Sequence, residues 1–308
     1  MLSVVIVTYN ARKAVHKCLL SLKKSLDIFE KKTGEKWETI VIDNASIEPV
    51  AREIAQKYPW VRLIKNDVNT GFAAANNQGM KMASGEWLLL LNPDAFVFPE
   101  TLSEMHRFMK TRKEADMAGC QLVYPDGTIQ QSWGFFPTLL RIVLFMSFID
   151  NLPVIRKHAD AIHVRDLSRY RHTQETDWVT GAFIWLKSQV FEKTGGLDEK
   201  YFMYGEEMEW MYRAKKAGFK IFYTPVTKCI HLKGASIQSL VKAFTSEVKG
   251  YLYWFDKHNA PWERMVLPWI LMAGGGFKAL AWSIAGRREM AEANAAITKE
   301  ILRTVFQK

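Results

Sequence analysis

Apolar residues in the first hundred positions follow two alternating rhythms. Short, nearly continuous runs occupy Ser3–Thr8, Glu38–Ile42, Val61–Ile64 and Trp87–Leu91. Between them, Ala11–Leu26 carries Val15, Leu19, Leu22 and Leu26 at helical spacing, and Val50–Tyr58 and Phe72–Met82 also read as helices. Continuous apolar strands separated by helices predict a parallel sheet covered on both faces. In such sheets ligands bind beyond the carboxyl ends of the strands, which directs attention to Thr8-Tyr9-Asn10, Asp43-Asn44 and Asn92-Pro93-Asp94. The first strand-to-helix turn lacks GxGxxG, and GxxxxGK[ST] occurs nowhere, so neither a dinucleotide fingerprint nor a P-loop is present.

Further along, Pro99–Arg112 predicts a helix and Tyr124-Pro125-Asp126-Gly127 a hairpin turn. Phe135–Thr176 reads as irregular and basic. A strand follows over Trp178–Leu186, then a short helix with Ser188 as its N-cap, ending at Gly195-Gly196. Glu206–Ala217 is a helix that stops at Gly218, and Lys220–Tyr223 and Thr227–Ile230 are strand-like. No internal repeat is visible. The pattern predicts a main α/β domain over 1–235 and a helical C-terminal region over 236–308. In that region Leu240, Phe244, Val248, Leu252 and Phe255 mark an amphipathic helix.

Composition narrows the class. The chain has 308 residues, 48% hydrophobic and 24% charged, close to globular averages, which excludes a low-complexity fibre or a multi-span membrane protein. Lys+Arg 42 against Asp+Glu 32 leaves +10, and with 11 Trp this surface suits a polyanionic partner, either nucleic acid or an anionic membrane. Cys18, Cys120 and Cys229 form neither a disulfide framework nor a zinc pattern, which favours a reducing compartment. Val4–Val7 is too short for a signal-peptide core. Thr138–Ile149 is too short to span a bilayer and carries Arg141. Met265–Ala285 has the length but contains Pro268, Gly274-Gly275-Gly276 and Lys278. Both predict segments that lie in an interface rather than cross it.

Five segments in order, Val4–Asn10, Val41–Ser46, Asn69–Asn77, Leu91–Asp94 and the stretch from Gly195 to His231, resemble an inverting family 2 glycosyltransferase of the GT-A fold, within its rhamnosyltransferase-like branch. The resemblance runs from residue 3 to about residue 232. It implies that Asn92-Pro93-Asp94 stands where the family has its DxD motif, with Asp94 as a ligand of Mg²⁺ or Mn²⁺. Asn92 departs from the general motif, and on local pattern the same three residues are also good turn formers. Asp43, with Asn44 beside it, would contact the nucleotide base or ribose, with Thr8 and Asn10 flanking the pocket. Asp43 or Ser46 would alternatively cap the next helix. Gly71 opens a helix whose N-terminus suits phosphate. Asn77 matches the family, and Asn76 replaces an Arg found in many relatives. Of the acidic run Glu206-Glu207-Met208-Glu209, Glu207 aligns with the general base and Glu206 is the second choice. Here the base is one methylene longer than the usual Asp, and acids in a first helical turn also complement the macrodipole without any catalytic role. His231 would complete the metal site or contact the diphosphate, with Lys233 adding charge. The plainer reading is a structural hydrogen-bonding histidine.

The expectation is therefore a metal-dependent inverting glycosyltransferase. The resemblance implies dTDP-L-rhamnose as donor, with UDP-sugars an alternative, and a saccharide or lipid-linked saccharide acceptor in cell-surface polysaccharide assembly. Phe135-Phe136-Pro137 through Arg141, Phe145 and Phe148 to Arg156-Lys157, together with Trp262, Trp269, Phe277 and Trp282 beside Arg264, Lys278, Arg287 and Arg288, would attach it peripherally to the inner face of the cell membrane; a buried helical hairpin or an oligomer contact would give the second stretch the same composition. The competing class is a non-catalytic binding protein with a degenerate site. No RNP, zinc-finger or helix-turn-helix pattern points to nucleic acid.

Overall fold

A computed structural model describes residues 1–201, 203–232 and 239–306. Along the chain run β1 (Leu2–Thr8), α1 (Arg12–Thr33), β2 (Trp37–Asp43), α2 (Val50–Lys57), β3 (Val61–Lys65), α3 (Phe72–Met82), β4 (Trp87–Leu91), β5 (Ala95–Val97), α4 (Thr101–Thr111) and β6 (Met117–Val123). Then come β7 (Trp133–Gly134), α5 (Leu139–Met146), α6 (Pro153–His158), β8 (Gln174–Thr176), β9 (Trp178–Val179), β10 (Phe183–Lys187), α7 (Ser188–Thr194), α8 (Glu206–Lys216) and β11 (Ile221–His231). Helices α9 (Leu240–His258), α10 (Pro261–Ile284) and α11 (Arg288–Ile301) follow. The described residues form two compact units, one of 1–133, 167–201 and 206–232, the other of 134–166, 203–205 and 239–306. The boundary expected at 235/236 falls outside the described residues.

The first unit is built on a nine-stranded sheet in the order β3-β2-β1-β4-β10-β6-β11-β5, with β8 on β11. Strands β3, β2, β1, β4, β6 and β11 run one way, and β10, β5 and β8 the other. The predicted βαβ half is present. Every residue of β1 and β4 is buried, which is why these strands read as unbroken apolar runs. Leu2, Val4 and Ile6 share one core with Val15, Leu19, Leu22 and Leu26 of α1. Helix α1 runs past the expected Leu26 because Phe29 joins that core, and it stops where Gly34 (φ 71°) donates its N–H to the Glu30 carbonyl.

The second half of the sheet departs from the simple alternation. The strand expected over Trp178–Leu186 breaks at 180–182, and its second part, β10, inserts antiparallel between β4 and β6. Lys187, paired with Trp87, is the N-cap of α7, so Ser188 is the first helical residue and not the cap. The two strand-like pieces at 220–230 are one strand, β11. Its register on β6 shifts between Thr224 and Lys228, around Pro225, which has no N–H for the ladder.

In the second unit the stretch expected to be irregular contains α5 and α6, with the Thr138 hydroxyl accepting the Arg141 N–H at the start of α5. The aromatic residues assigned there to a membrane face pack inward instead. Phe136 stacks on Trp254 with centroids 5.5 Å apart, and Phe148 meets Phe277 and Trp282. Arg141 spends its guanidinium on the carbonyls of Phe136 and Asp160. Lys278, counted with the basic flank, is buried with its ammonium 4.1 Å from the Phe145 ring centroid, and burial pushes its pKa down to about 8. The glycine run has a packing role: a Cβ at Gly274 would lie 2.4 Å from Met146 Cβ, and one at Gly275 3.1 Å from the Asn294 carbonyl. Helix α10 thus lies close on α5 and α11 by its inner face. Its opposite face exposes Trp262, Met265, Trp269, Phe277, Leu280 and Ile284. By length and composition alone it is apolar enough to cross a membrane, with mean hydropathy 1.3.

Close approach also defines how α3 lies on the sheet. A Cβ at Gly79 would fall 2.4 Å from Val5 Cγ1 and 2.8 Å from Ile42 Cδ1. Gly79→Ala is expected to lower stability by about 1–3 kcal/mol through overpacking, read as a shifted urea midpoint with unchanged slope.

Candidate active site

The site is assembled where the sheet order reverses. β1 lies between β2 and β4, parallel to both, so the ends of all three strands meet at one edge. Thr8 pairs with Asp43 in register, and the Asn44 N–H donates to the Thr8 carbonyl at 2.8 Å. Both side chains are buried, and Thr8 Oγ1 has no hydrogen-bond partner among the described residues. Asp43 Oδ1 accepts the Ser46 N–H at 3.2 Å, while the N-cap of α2 is Pro49, so neither Asp43 nor Ser46 caps that helix. Asn10, at φ 49°, accepts the Ile47 N–H at 2.9 Å and donates its own N–H to Ser46 Oγ at 3.0 Å.

Asn44 is the hub of the next loop. Its Nδ2 donates to Asn69 Oδ1 at 2.9 Å and to the Gly71 carbonyl at 3.2 Å. Its Oδ1 accepts from Asn66 Nδ2 and from the N–H and hydroxyl of Thr70. This holds 66–71 so that Gly71 (φ 87°) becomes the N-cap of α3, a backbone conformation that a side chain would strain. The first-turn N–H groups of a helix such as α3 have no partner within it, which is why helix N-termini favour anions. Asn76 donates to the Phe72 carbonyl. Asn77 donates to the Leu197 carbonyl and to Glu199 and accepts the Leu197 N–H, tying α3 to 197–199.

After β4, the Ala95 N–H donates to the Asn92 carbonyl at 3.1 Å, so Asn92-Pro93-Asp94 does form the turn its composition allows. That turn starts β5, which pairs antiparallel with β11 and sets Ala95 opposite His231. Asp94 Oδ1 and His231 Nε2 come to 3.4 Å, the pair expected to hold the metal. Two bonds of 2.0–2.1 Å at a right angle put adjacent ligand atoms about 3 Å apart, so one hard cation fits between them with little movement. Among the described residues no group of three or more His, Cys, Asp or Glu side chains is placed to hold a metal, so further ligands would have to come from bound phosphate or water. Lys233 lies outside the described residues.

The acidic run divides by environment. Glu209 is fully buried, and both its oxygens accept from Arg213 Nε, at 3.0 and 2.9 Å; Arg213 also reaches the Thr194 and Gly196 carbonyls. Glu206 is 4% exposed, whereas Glu207 is half-buried and its Oε1 accepts the Gly181 N–H at 3.2 Å. Just before α8, Tyr204 (φ 71°) is held in a strained backbone conformation, and Gly205 (φ 100°) takes one open to glycine. The neighbouring Ala182 carbonyl accepts the Asn92 N–H at 3.0 Å. Residues 181–182 therefore link the start of α8 to the Asn92 turn. A Cβ at Gly181 would lie 3.6 Å from the Phe72 ring, so the start of α3 adjoins them too. In the sequence, residues 181–182 look like the interior of a strand and carry no mark of this linking role.

A family model for glycosyl transferase family 2 matches residues 3–165. The chain belongs to this family. The N-acetylglucosaminyl-diphospho-decaprenol L-rhamnosyltransferase of Mycobacterium tuberculosis is 26% identical over 284 residues, covering 88% of this chain and 89% of that protein. The O-antigen biosynthesis protein RfbC of Myxococcus xanthus is 31% identical over 206 residues, which is 65% of this chain but 15% of RfbC. Among solved structures, the mannosyltransferase PcManGT of Pyrobaculum calidifontis, in complex with GDP-Man and Mn²⁺, matches with TM-score 0.61 at 15% identity over 100% of this chain and 87% of that one. This likeness shows that the fold is GT-A.

Removal of the hub tests the loop assignment. Asn44→Ala is expected to cost about 1–3 kcal/mol of stability, since it leaves Thr70 and Asn66 donors unpaired. Amide hydrogen exchange should accelerate more across 66–72 than in β10.

Proposed function

We propose that the protein transfers a sugar with inversion from a nucleotide donor, L-rhamnose from dTDP-L-rhamnose, to a saccharide or lipid-linked saccharide in cell-surface polysaccharide synthesis. The observation that carries the chemistry is the convergence on residues 181–182 of the Asn92 turn, which leads to Asp94 and His231, and the carboxylate of Glu207. The donor sugar and acceptor class rest on the printed name of the mycobacterial relative, and the divalent metal is supported by the Mn²⁺ in the PcManGT complex.

In this reading Asp43 and Thr8 receive the nucleoside, Asn10 and Asn44 hold the loops around it, and the α3 N-terminus beyond Gly71 meets the diphosphate. Mg²⁺ or Mn²⁺ on Asp94 and His231 would supply Lewis-acid stabilisation of the departing diphosphate. Glu207 takes the proton from the acceptor hydroxyl as that oxygen attacks the anomeric carbon from the face opposite the leaving group. Gly181 orients its carboxylate, which offsets the freedom of the extra methylene. Glu206 is too enclosed to reach an acceptor without repacking.

The exposed apolar stripe of α10 fits peripheral attachment at the cytoplasmic face of an anionic membrane, with Trp262 and Trp269 as interfacial anchors. The buried opposite face favours a helix lying in the interface over one crossing it.

Nucleotide release from a panel of sugar nucleotides, with acceptor and with Mn²⁺ or EDTA, tests the chemistry. Glu207→Gln and Asp94→Ala should each lower the rate by about 10²-fold or more. Full activity in Glu207→Gln would remove the base assignment. For attachment, Trp262→Ser/Trp269→Ser should reduce co-sedimentation with phosphatidylglycerol-containing vesicles roughly tenfold.

A further inference from the structure

We propose that Gln130 is a positioning residue that sets which nitrogen of His231 faces Asp94. The inference rests on the reading of Asp94 and His231 as a metal pair. Gln130 lies on the return arm of the hairpin at 124–127, where Tyr124 N–H donates to the Thr128 carbonyl and Gln130 N–H to the Leu122 carbonyl, both within 2.9 Å. This places its side chain, 2% exposed, against the end of β11.

The side chain meets His231 twice. Nε2 of Gln130 donates to the His231 carbonyl, which can only accept, and this fixes the orientation of the amide. Oε1 then faces His231 Nδ1 at 3.0 Å. An amide oxygen also only accepts, so Nδ1 must carry the hydrogen. In the neutral ring Nε2 is left with its lone pair, and Nε2 is the atom 3.4 Å from Asp94 Oδ1. In the neutral ring these two acceptors repel each other, and a metal ion between them, or a second proton on the ring, relieves that repulsion. Gln130 thus performs, without charge, the orienting task that a carboxylate or carbonyl performs behind many metal-bound histidines.

The test compares Gln130→Met, which keeps length and loses both hydrogen bonds, with Gln130→Glu, which keeps the acceptor toward Nδ1. Mn²⁺ affinity is measured by electron paramagnetic resonance of free Mn²⁺ with dTDP, UDP or GDP present, on protein held below the unfolding midpoint of each metal-free variant. Gln130→Met should weaken Mn²⁺ binding about tenfold or more, and Gln130→Glu should stay within about threefold of the wild type. Wild-type affinity in Gln130→Met, or equal weakening in both variants, overturns the positioning role. A wild type that retains no Mn²⁺ with any of the three nucleotides overturns the metal pair itself, a result seen before any variant is compared.

Discussion

The antiparallel pairing of the three-residue strand β5 with the end of β11 is the contact on which the site depends. Asp94 and His231 are distant in sequence, and nothing local draws them together. They meet because the Asn92 turn reverses the chain after β4 and Ala95 then pairs with His231, a contact extended by the Leu232 N–H donating to the Asp94 carbonyl at 3.1 Å. The irregularity around Pro225 belongs to the same constraint. Without the register shift between Thr224 and Lys228, β11 would deliver a different residue to Ala95.

Around this pairing the loops are held mainly by amide groups. Asn44, Asn66 and Asn69 bind one another and the backbone that leads into α3, Asn10 joins two loop tips, and Asn77 fastens the far end. Each amide has both donor and acceptor groups, so one side chain can satisfy N–H and C=O groups that no ladder reaches. The burial of Asn44 just after β2 follows: a loop there carries unpaired backbone groups, and leaving those unmet costs more than burying a side chain that meets them.

The first half of the sheet was legible because its information is local. Continuous apolar strands and helical spacing recur within windows of a dozen residues, and the ligand edge follows from the parallel order. The second half was less so. β10 is five residues long and finds its neighbours across the sheet, and α5 was hidden in a segment whose aromatic residues looked like surface anchors but pack on α9 and α10. The family motifs marked Asp94, Glu207 and His231 because their residue types announce chemistry. Gln130 has no such signal. Its partner is 101 residues away, and only the turn formers at 124–127 indicated that the chain doubles back there.

The amide frame has one more consequence. Imidazoles change charge within the range where cells live and carboxylates below it, and loops tied by them would loosen or tighten as acidity changed. Primary amides do not titrate, so the bonds that Asn44 makes to Asn66 and Asn69 are the same in mildly acidic and alkaline conditions. Acidity then acts on this region through its carboxylates and imidazole rather than through the amide bonds that hold the loop before α3.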